Sequence, residues 1–211
     1  GDIIAPADGE AMVMRRRLAN NGVVMVSLDQ RGRAQVERIA RASEEMRELV
    51  QTFLMLARAQ REDASMSPQL TLTQAAKDLI GVWREFIEAK GIELIFEPGQ
   101  TADTPYNATF LTAVMGNLLR NALHYTDQGF IRLTLSATGF VVEDSGVGIP
   151  EEKRQAMFEP FVRGDEKRGE GLGLGLSLVQ RICENQGWTV SLSHMEPNGC
   201  RFHVELTLSH P

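Results

Sequence analysis

With 211 residues, 43% of them hydrophobic and 24% charged, the chain has room for one domain or one and a half and the balance of a protein that buries a core. A formal net charge of −6 argues against a general nucleic-acid binder, whose phosphate contacts need a clustered positive surface. Cys183 and Cys200 belong to no Cys-x-x-Cys or Cys/His cluster, so neither a structural zinc nor a disulfide framework is signalled and a reducing cytoplasm is the default.

Residues 1–33 carry Pro6, an Asp8-Gly9 turn signal, a basic triplet at Arg15 to Arg17, and an apolar run from Val23 to Leu28 after Asn20-Asn21-Gly22. That pattern reads as a small turn or hairpin element, atypical beside the rest of the chain. Over residues 34–62, Val36, Ile39, Ser43, Met46, Val50, Phe53 and Ala57 alternate by three and four, flanked by Ala42, Leu49 and Leu56. This is a heptad stripe wide enough for a helical bundle. A single amphipathic helix of this length is marginal in water, so the stripe requires partner helices.

Residues 66–211 form the main domain. After Pro68 the pattern predicts a short strand near 70–72, a helix over 74–89 closed by Gly91, and a strand over 92–96. Pro105 precedes a helix over 109–124, with Phe110, Val114, Leu118 and Leu123 inward and Asn117 and Asn121 on its polar face. Alternating runs at 131–135 and 140–143, separated by Gly139, predict a hairpin. A glycine-rich stretch, a helix over 174–186 and strands over 189–193 and 200–208 complete an α+β layer. In it a mixed sheet has one face covered by helices and the other solvated. No run of about twenty apolar residues and no secretory signal occurs, so any membrane anchor of a parent protein lies outside this sequence.

Three motifs carry chemistry. In NLLRNALHYT, residues 117–126, Asn117 and Asn121 lie four apart on one helix face, where an amide oxygen suits a magnesium ion or simply faces solvent. In EDSGVGIP, residues 143–150, the acceptor-only carboxylate of Asp144 precedes Gly146 and Gly148, which let backbone approach a flat ligand. A carboxylate pairs with the exocyclic amino group of adenine and not with the oxygen that guanine presents there. The same Asp-Ser-Gly composition equally makes turns. In GEGLGLGLSLV, residues 169–179, glycines run directly into an apolar helix, an arrangement whose backbone donors meet phosphate or form a flexible linker. It is neither a Walker A loop nor a GxGxxG fingerprint.

The order and spacing of these motifs, with FEPF at Phe158 to Phe161 between the second and third, resembles the ATPase superfamily shared by gyrase, Hsp90, MutL and histidine kinases. The likeness covers Leu70 to Leu208 and points to the catalytic ATP-binding domain of a bacterial sensor histidine kinase. Less specifically, 36–57 is similar to the second helix of a kinase dimerisation domain. The resemblance implies a two-layer α/β sandwich of the Bergerat type preceded by a long amphipathic helix, with ATP and Mg2+ as ligands. It implies Asn121 as magnesium ligand, Asp144 as adenine anchor, Gly146 and Gly148 as shapers of the base pocket, and Gly171, Gly173 and Gly175 facing the phosphates. His124 and Tyr125 occupy places where the family usually has a basic residue and an aromatic; they are assigned to phosphate and to base or ribose, with a helix-end cap as the alternative for His124. Residues 151–170 correspond to a mobile lid in which Arg163, Lys167 and Arg168 either reach the γ-phosphate or are solvated.

Hydrolytic branches of that superfamily carry a water-activating Glu four residues before the metal-binding Asn. Here that place holds Asn117, which cannot act as a general base, so transfer to a protein acceptor is implied over hydrolysis. The acceptor is missing: His124, His194, His203 and His210 sit in no His-Glu or His-Asp context followed by Pro, so no phosphoacceptor is assigned. The expected partners are a histidine-containing dimerisation domain and a response regulator, in a homodimeric parent whose cytoplasmic portion this is, with no nucleic acid and no membrane contact by this part. Residues 1–29 faintly resemble the C-terminal region of ribonuclease J type enzymes, over too little chain for nuclease activity. Three accounts are compatible: a kinase fragment or a chain with a substituted N-terminal segment, which are preferred, and a natural kinase-like protein that binds partners. The alternative function is a non-catalytic nucleotide-sensing or helix-bundle interaction module.

Overall fold

The computed structural model describes residues 68–159, Val162 and residues 175–206, three short strands before residue 28, and helical positions at residues 32, 35, 36, 39, 43, 50 and 54. The chain divides into two compact units, residues 1–51 and 52–211. In the first, β1 (Asp2–Ile4), β2 (Val13–Arg17) and β3 (Val23–Ser27) form an antiparallel sheet in that order. β2 and β3 pair with Arg15 opposite Met25, across the connection that contains Asn20-Asn21-Gly22. Val36, Ile39, Ser43 and Val50 of the predicted heptad stripe are helical. Ile39, Val50 and Leu54 are exposed apolar side chains. Met46, Phe53 and Ala57 lie outside the described residues.

In the second unit β4 (Gln69–Thr71) pairs antiparallel with β6 (Pro105–Asn107). Helix α1 (Leu72–Ala89) starts two residues before the periodicity alone suggests. The reason is a capping box: Thr71 Oγ1 accepts the Gln74 N–H at 3.3 Å, and Gln74 Oε1 accepts the Thr71 N–H at 3.0 Å. Leu72 is therefore the first helical residue and not the end of a strand. Gly91, at φ +78°, takes the left-handed conformation that ends the helix and leads into β5 (Ile92–Glu97).

Helix α2 (Ala108–Tyr125) is capped by Asn107, whose Oδ1 accepts the Phe110 N–H at 3.2 Å. The hairpin is β7 (Gly129–Leu135) and β8 (Gly139–Asp144). Short helix α3 (Glu151–Arg154) and a 3-10 turn (Ala156–Phe158) follow, then α4 (Gly175–Gln186), β9 (Thr189–His194) and β10 (Cys200–Glu205).

The main sheet runs β5-β7-β8-β10-β9, with β5 parallel to β7 and every other pair antiparallel. Ile131, Leu133, Phe140, Val142, Phe202 and Val204 bury one face beneath α1, α2 and α4. α2 lies at the centre of that layer, with Leu111, Val114, Met115, Leu118 and Leu119 almost wholly removed from water. Each such side chain contributes about 1.5–3 kcal/mol, so burial and not intrinsic helix propensity holds α2 on the sheet.

The opposite face carries charge. Arg132 on β7 and Arg201 on β10 stand directly across from Glu143 on β8. Arg132 Nη1 lies 3.1 Å from Glu143 Oε2, and Arg201 Nε donates to Glu143 Oε1 at 2.6 Å. Glu143 is thereby only 4% exposed on the face that the helices do not cover. Arg132 Nε is buried without a hydrogen bond, the Glu97 carboxylate standing 3.6 Å away, close enough for an ion pair and too far for a hydrogen bond. Its guanidinium also lies 4.9 Å from the Phe130 ring centroid.

Candidate functional site

The C-terminal end of α2 and the loop after β8 meet. Val147 N–H donates to the Tyr125 carbonyl at 3.3 Å. Gly146 packs so closely on that carbonyl that a Cβ there would collide with it and come within 2.9 Å of Asp144 Oδ1. Gly148, at φ +73°, needs the left-handed conformation and lies against Gly199. The two glycines read from sequence as pocket formers are points of close backbone approach: Gly146 brings the loop after β8 to the end of the Asn-containing helix, and Gly148 brings it to Gly199.

Lys90 fixes the same helix end from the other side. Its Nζ donates to the Leu123 carbonyl at 2.8 Å and to the Thr126 carbonyl at 2.6 Å, and it lies 3.7 Å from Asp127. A cation on the last carbonyls of a helix is favourable in both hydrogen bonding and dipole terms. Thr126 Oγ1, by contrast, is buried with no hydrogen-bond partner.

Asp144 closes β8 at 2% exposure. Its Oδ1 accepts the Gly146 N–H at 2.9 Å, and the Cys200 backbone N–H supports the carboxylate too. Burial outweighs both bonds and pushes the carboxyl up to about 6. It is thus an acceptor at neutral pH, held in a setting that favours a donor such as an amino group. Cys200, directly across the ladder, and Cys183 are pushed up to about 12, chiefly by burial, so neither offers a thiolate for catalysis or metal binding.

On α2, Asn117 and Asn121 share one face, one turn apart. Asn117 Nδ2 donates to the Ala113 carbonyl at 2.8 Å, and its Oδ1 accepts Arg120 Nη2 at 2.5 Å. Asn121, half-buried, is tied by neither of these bonds. His124 and Tyr125 complete the face edge to face, with ring centroids 4.7 Å apart. Among the described residues, no group of three or more His, Cys, Asp or Glu is placed to hold a metal. A lone amide oxygen at Asn121 fits an ion that keeps waters and ligand phosphate oxygens in its shell, as magnesium does.

Gly175 opens α4 opposite this face: a Cβ there would stand 3.3 Å from Asn117 Oδ1 and 3.7 Å from Arg120 Nη2. Gly171, Gly173, Arg163, Lys167 and Arg168 lie outside the described residues, as do Pro160 and Phe161. Phe158 anchors the segment after β8 by an edge contact on Phe202, 6.5 Å between centroids, beside buried Met157. Sequence reasoning missed Lys90, the Gly199-Cys200 backbone behind Asp144, and Arg120. For Gly199 a signal existed in the Asn198-Gly199 turn pair; for Lys90 none did, since its target is 33 residues away.

Residues 106–210 match the family of histidine kinase-, DNA gyrase B-, and HSP90-like ATPases. The chain is similar to the sensor histidine kinase AruS of Pseudomonas aeruginosa, 29% identical over 199 residues that make up 87% of this chain and 20% of that protein. The sensor protein RstB of Escherichia coli is 41% identical over 103 residues, 46% of this chain and 24% of RstB. The chain thus spans about a fifth to a quarter of the length of these relatives. Among solved structures, the catalytic domain of the histidine kinase ThkA superposes with a TM-score of 0.59 at 27% identity, over 67% of this chain and 95% of that one. Full-length ShkA in complex with AMPPNP shares the fold, with a TM-score of 0.64 at 24% identity over 85% of this chain and 39% of that one. Among the described residues, no helix is long and apolar enough to cross a membrane. The segment 106–210 belongs to the histidine kinase-, DNA gyrase B- and HSP90-like ATPase family, as the ATP-binding catalytic domain of the kind found in sensor histidine kinases.

Proposed function

We propose that the chain binds Mg-ATP between α2 and the loop after β8 and presents its γ-phosphate to a histidine on a kinase dimerisation helix. The observation that supports this reading is the junction of Tyr125 with Gly146 and Val147, which joins the end of the helix that carries Asn121 to the loop that follows the buried carboxylate of Asp144. Asp144 accepts the adenine amino group, Gly146 and Gly148 give the base room, and Tyr125 lines the base or ribose. Asn121 ligates magnesium, which when bound neutralises phosphate charge. His124, Gly171, Gly173 and Gly175 line the phosphates, and Arg163 or Lys167 reaches the γ-phosphate from the lid.

Asn117 supplies no general base, and its carboxamide is already engaged by Ala113 and Arg120, which supports phosphoryl transfer over hydrolysis. In the transfer, the bond from the γ-phosphorus to the bridging oxygen breaks, a phosphorus–nitrogen bond forms on the acceptor imidazole, and ADP leaves. The acceptor belongs to a dimerisation domain, and a response regulator then takes the phosphoryl group. The exposed helical residues Ile39 and Val50 support pairing of the heptad helix with such a domain in a homodimer. The whole works as the cytoplasmic part of a longer sensor anchored in the inner membrane.

Calorimetric titration with ATP, GTP and a non-hydrolysable ATP analogue, with and without magnesium, tests the reading. Adenine-selective binding strengthened by magnesium is expected, and loss of the magnesium dependence in Asn121→Ala. Equal affinity for ATP and GTP would refute the assignment of Asp144. A separately supplied dimerisation domain that is not phosphorylated by ATP-bound protein would leave a nucleotide-sensing module instead of a kinase.

A further inference from the structure

One cation on the nucleotide side of α2 is unused by the reading above. Arg120 lies on the face that carries Asn117, Asn121 and His124, at the exposed edge of the helix. Its Nη2 donates to Asn117 Oδ1 at 2.5 Å, and both groups border the first residue of α4, where a Cβ in place of the Gly175 hydrogen would come within 3.7 Å of the guanidinium. Asn117 is itself fastened by its bond to the Ala113 carbonyl. A long, rotamer-rich side chain is in this way held by a fixed acceptor, so less of its freedom remains to be lost when it meets a ligand.

The position that resembled the family's basic residue is His124 here. Histidine carries a full charge only at acid pH, whereas arginine carries one throughout the range in which proteins fold. The guanidinium fork also matches phosphate oxygens in geometry. Gly175, lacking a Cβ, lets the start of α4 come close to Asn117 and the fork.

Resting on the Mg-ATP reading, we propose that Arg120 is a phosphate-binding residue of this site, contacting the β- or γ-phosphate, and that Asn117 is the positioning residue that aims it. The role that Asn117 does not play as a base is thereby replaced by one that it does play as an acceptor for Arg120.

The test compares ATP, ADP and adenosine binding to wild type, Arg120→Met, Arg120→Lys and Asn117→Ala, each at low and moderate salt. Arg120→Met is expected to weaken ATP about tenfold or more, ADP less or equally, and adenosine not at all, with a shallower salt dependence than wild type. Arg120→Lys recovers part of the loss. Asn117→Ala weakens ATP by a smaller factor and spares adenosine. Equal losses across all three ligands would mean a structural role, and unchanged ATP affinity in Arg120→Met would remove the residue from the site; either result overturns the proposal while leaving ATP binding itself intact. Wild type that binds neither ATP nor adenosine would instead overturn the underlying nucleotide reading, and this assignment with it.

Discussion

Acidification separates two consequences of Asp144 that have opposite signs. Its carboxyl is raised from 3.8 to about 6, first by burial and in spite of the Gly146 and Cys200 backbone donors. In the unfolded chain it is ionised above its ordinary value; in the folded protein it takes up a proton below about 6. Between those two values the folded state binds more protons, so this group makes the nucleotide-free protein more stable as pH falls. At pH 5, one unit below the folded value, about ten molecules in eleven are protonated, a gain of about 1.4 kcal/mol relative to pH 7.5. The same proton removes the acceptor for adenine, so ATP affinity falls about tenfold over the same interval.

ATP titrates in this range as well, so the control is Asp144→Asn, which faces the same nucleotide without the ionisable group. The variant should bind ATP about 10 to 150 times more weakly at pH 7.5, the value of a charged hydrogen bond. Its affinity should also fall less than that of wild type on going to pH 5. Calorimetry at pH 7.5, 6 and 5 measures the affinities, and urea unfolding of the free proteins measures stability. Parallel affinity profiles for wild type and variant would refute the reasoning, as would a wild type that loses relative stability on acidification through this window.

Three further outcomes follow from contacts elsewhere. Gly146→Ala drives a methyl into the Tyr125 carbonyl, and should cost about 1–3 kcal/mol in urea unfolding and weaken ATP because the α2 junction shifts. Glu143→Ala leaves Arg132 and Arg201 without their shared carboxylate, for a loss of about 1–2 kcal/mol by the same method, since both guanidinium groups keep access to water and Arg132 keeps Glu97 nearby, with Glu143→Gln losing less. Thr126→Val replaces a buried hydroxyl that has no partner by a group of the same shape, in an extended backbone that valine favours; a stability gain of about 1–3 kcal/mol is expected from thermal melts.

Much of the fold was legible because its signals are local. The 3.6-residue repeat places Phe110, Val114 and Leu118 on the buried side of α2, and Gly91 marks the end of α1 at a positive φ. The β7–β8 hairpin could be read from its alternating runs and Gly139. Even the start of α1 was written locally, since Thr71 and Gln74 stand at capping-box spacing; periodicity alone overlooked them because it weighs apolar residues and not caps. The motif order likewise singled out Asn121 and Asp144 as candidates.

What sequence by itself determined was most of the longer elements of the main domain, the face that α2 buries, and the motif family in which Asp144 and Asn121 lie; the short strand β6 and helix α3 carried no such signal. Only the tertiary structure decided which segments carrying those residues meet and how deeply each residue is buried. The pairing of Tyr125 with Val147, the hold of Lys90 on the end of α2, and the placing of Gly175 beside Arg120 join segments far apart in the chain. The raised carboxyl of Asp144 and the burial of Glu143 between two arginines are equally invisible along the sequence. Local spacing fixes the periods of helices and strands, whereas desolvation and close backbone approach exist only once the layers have packed.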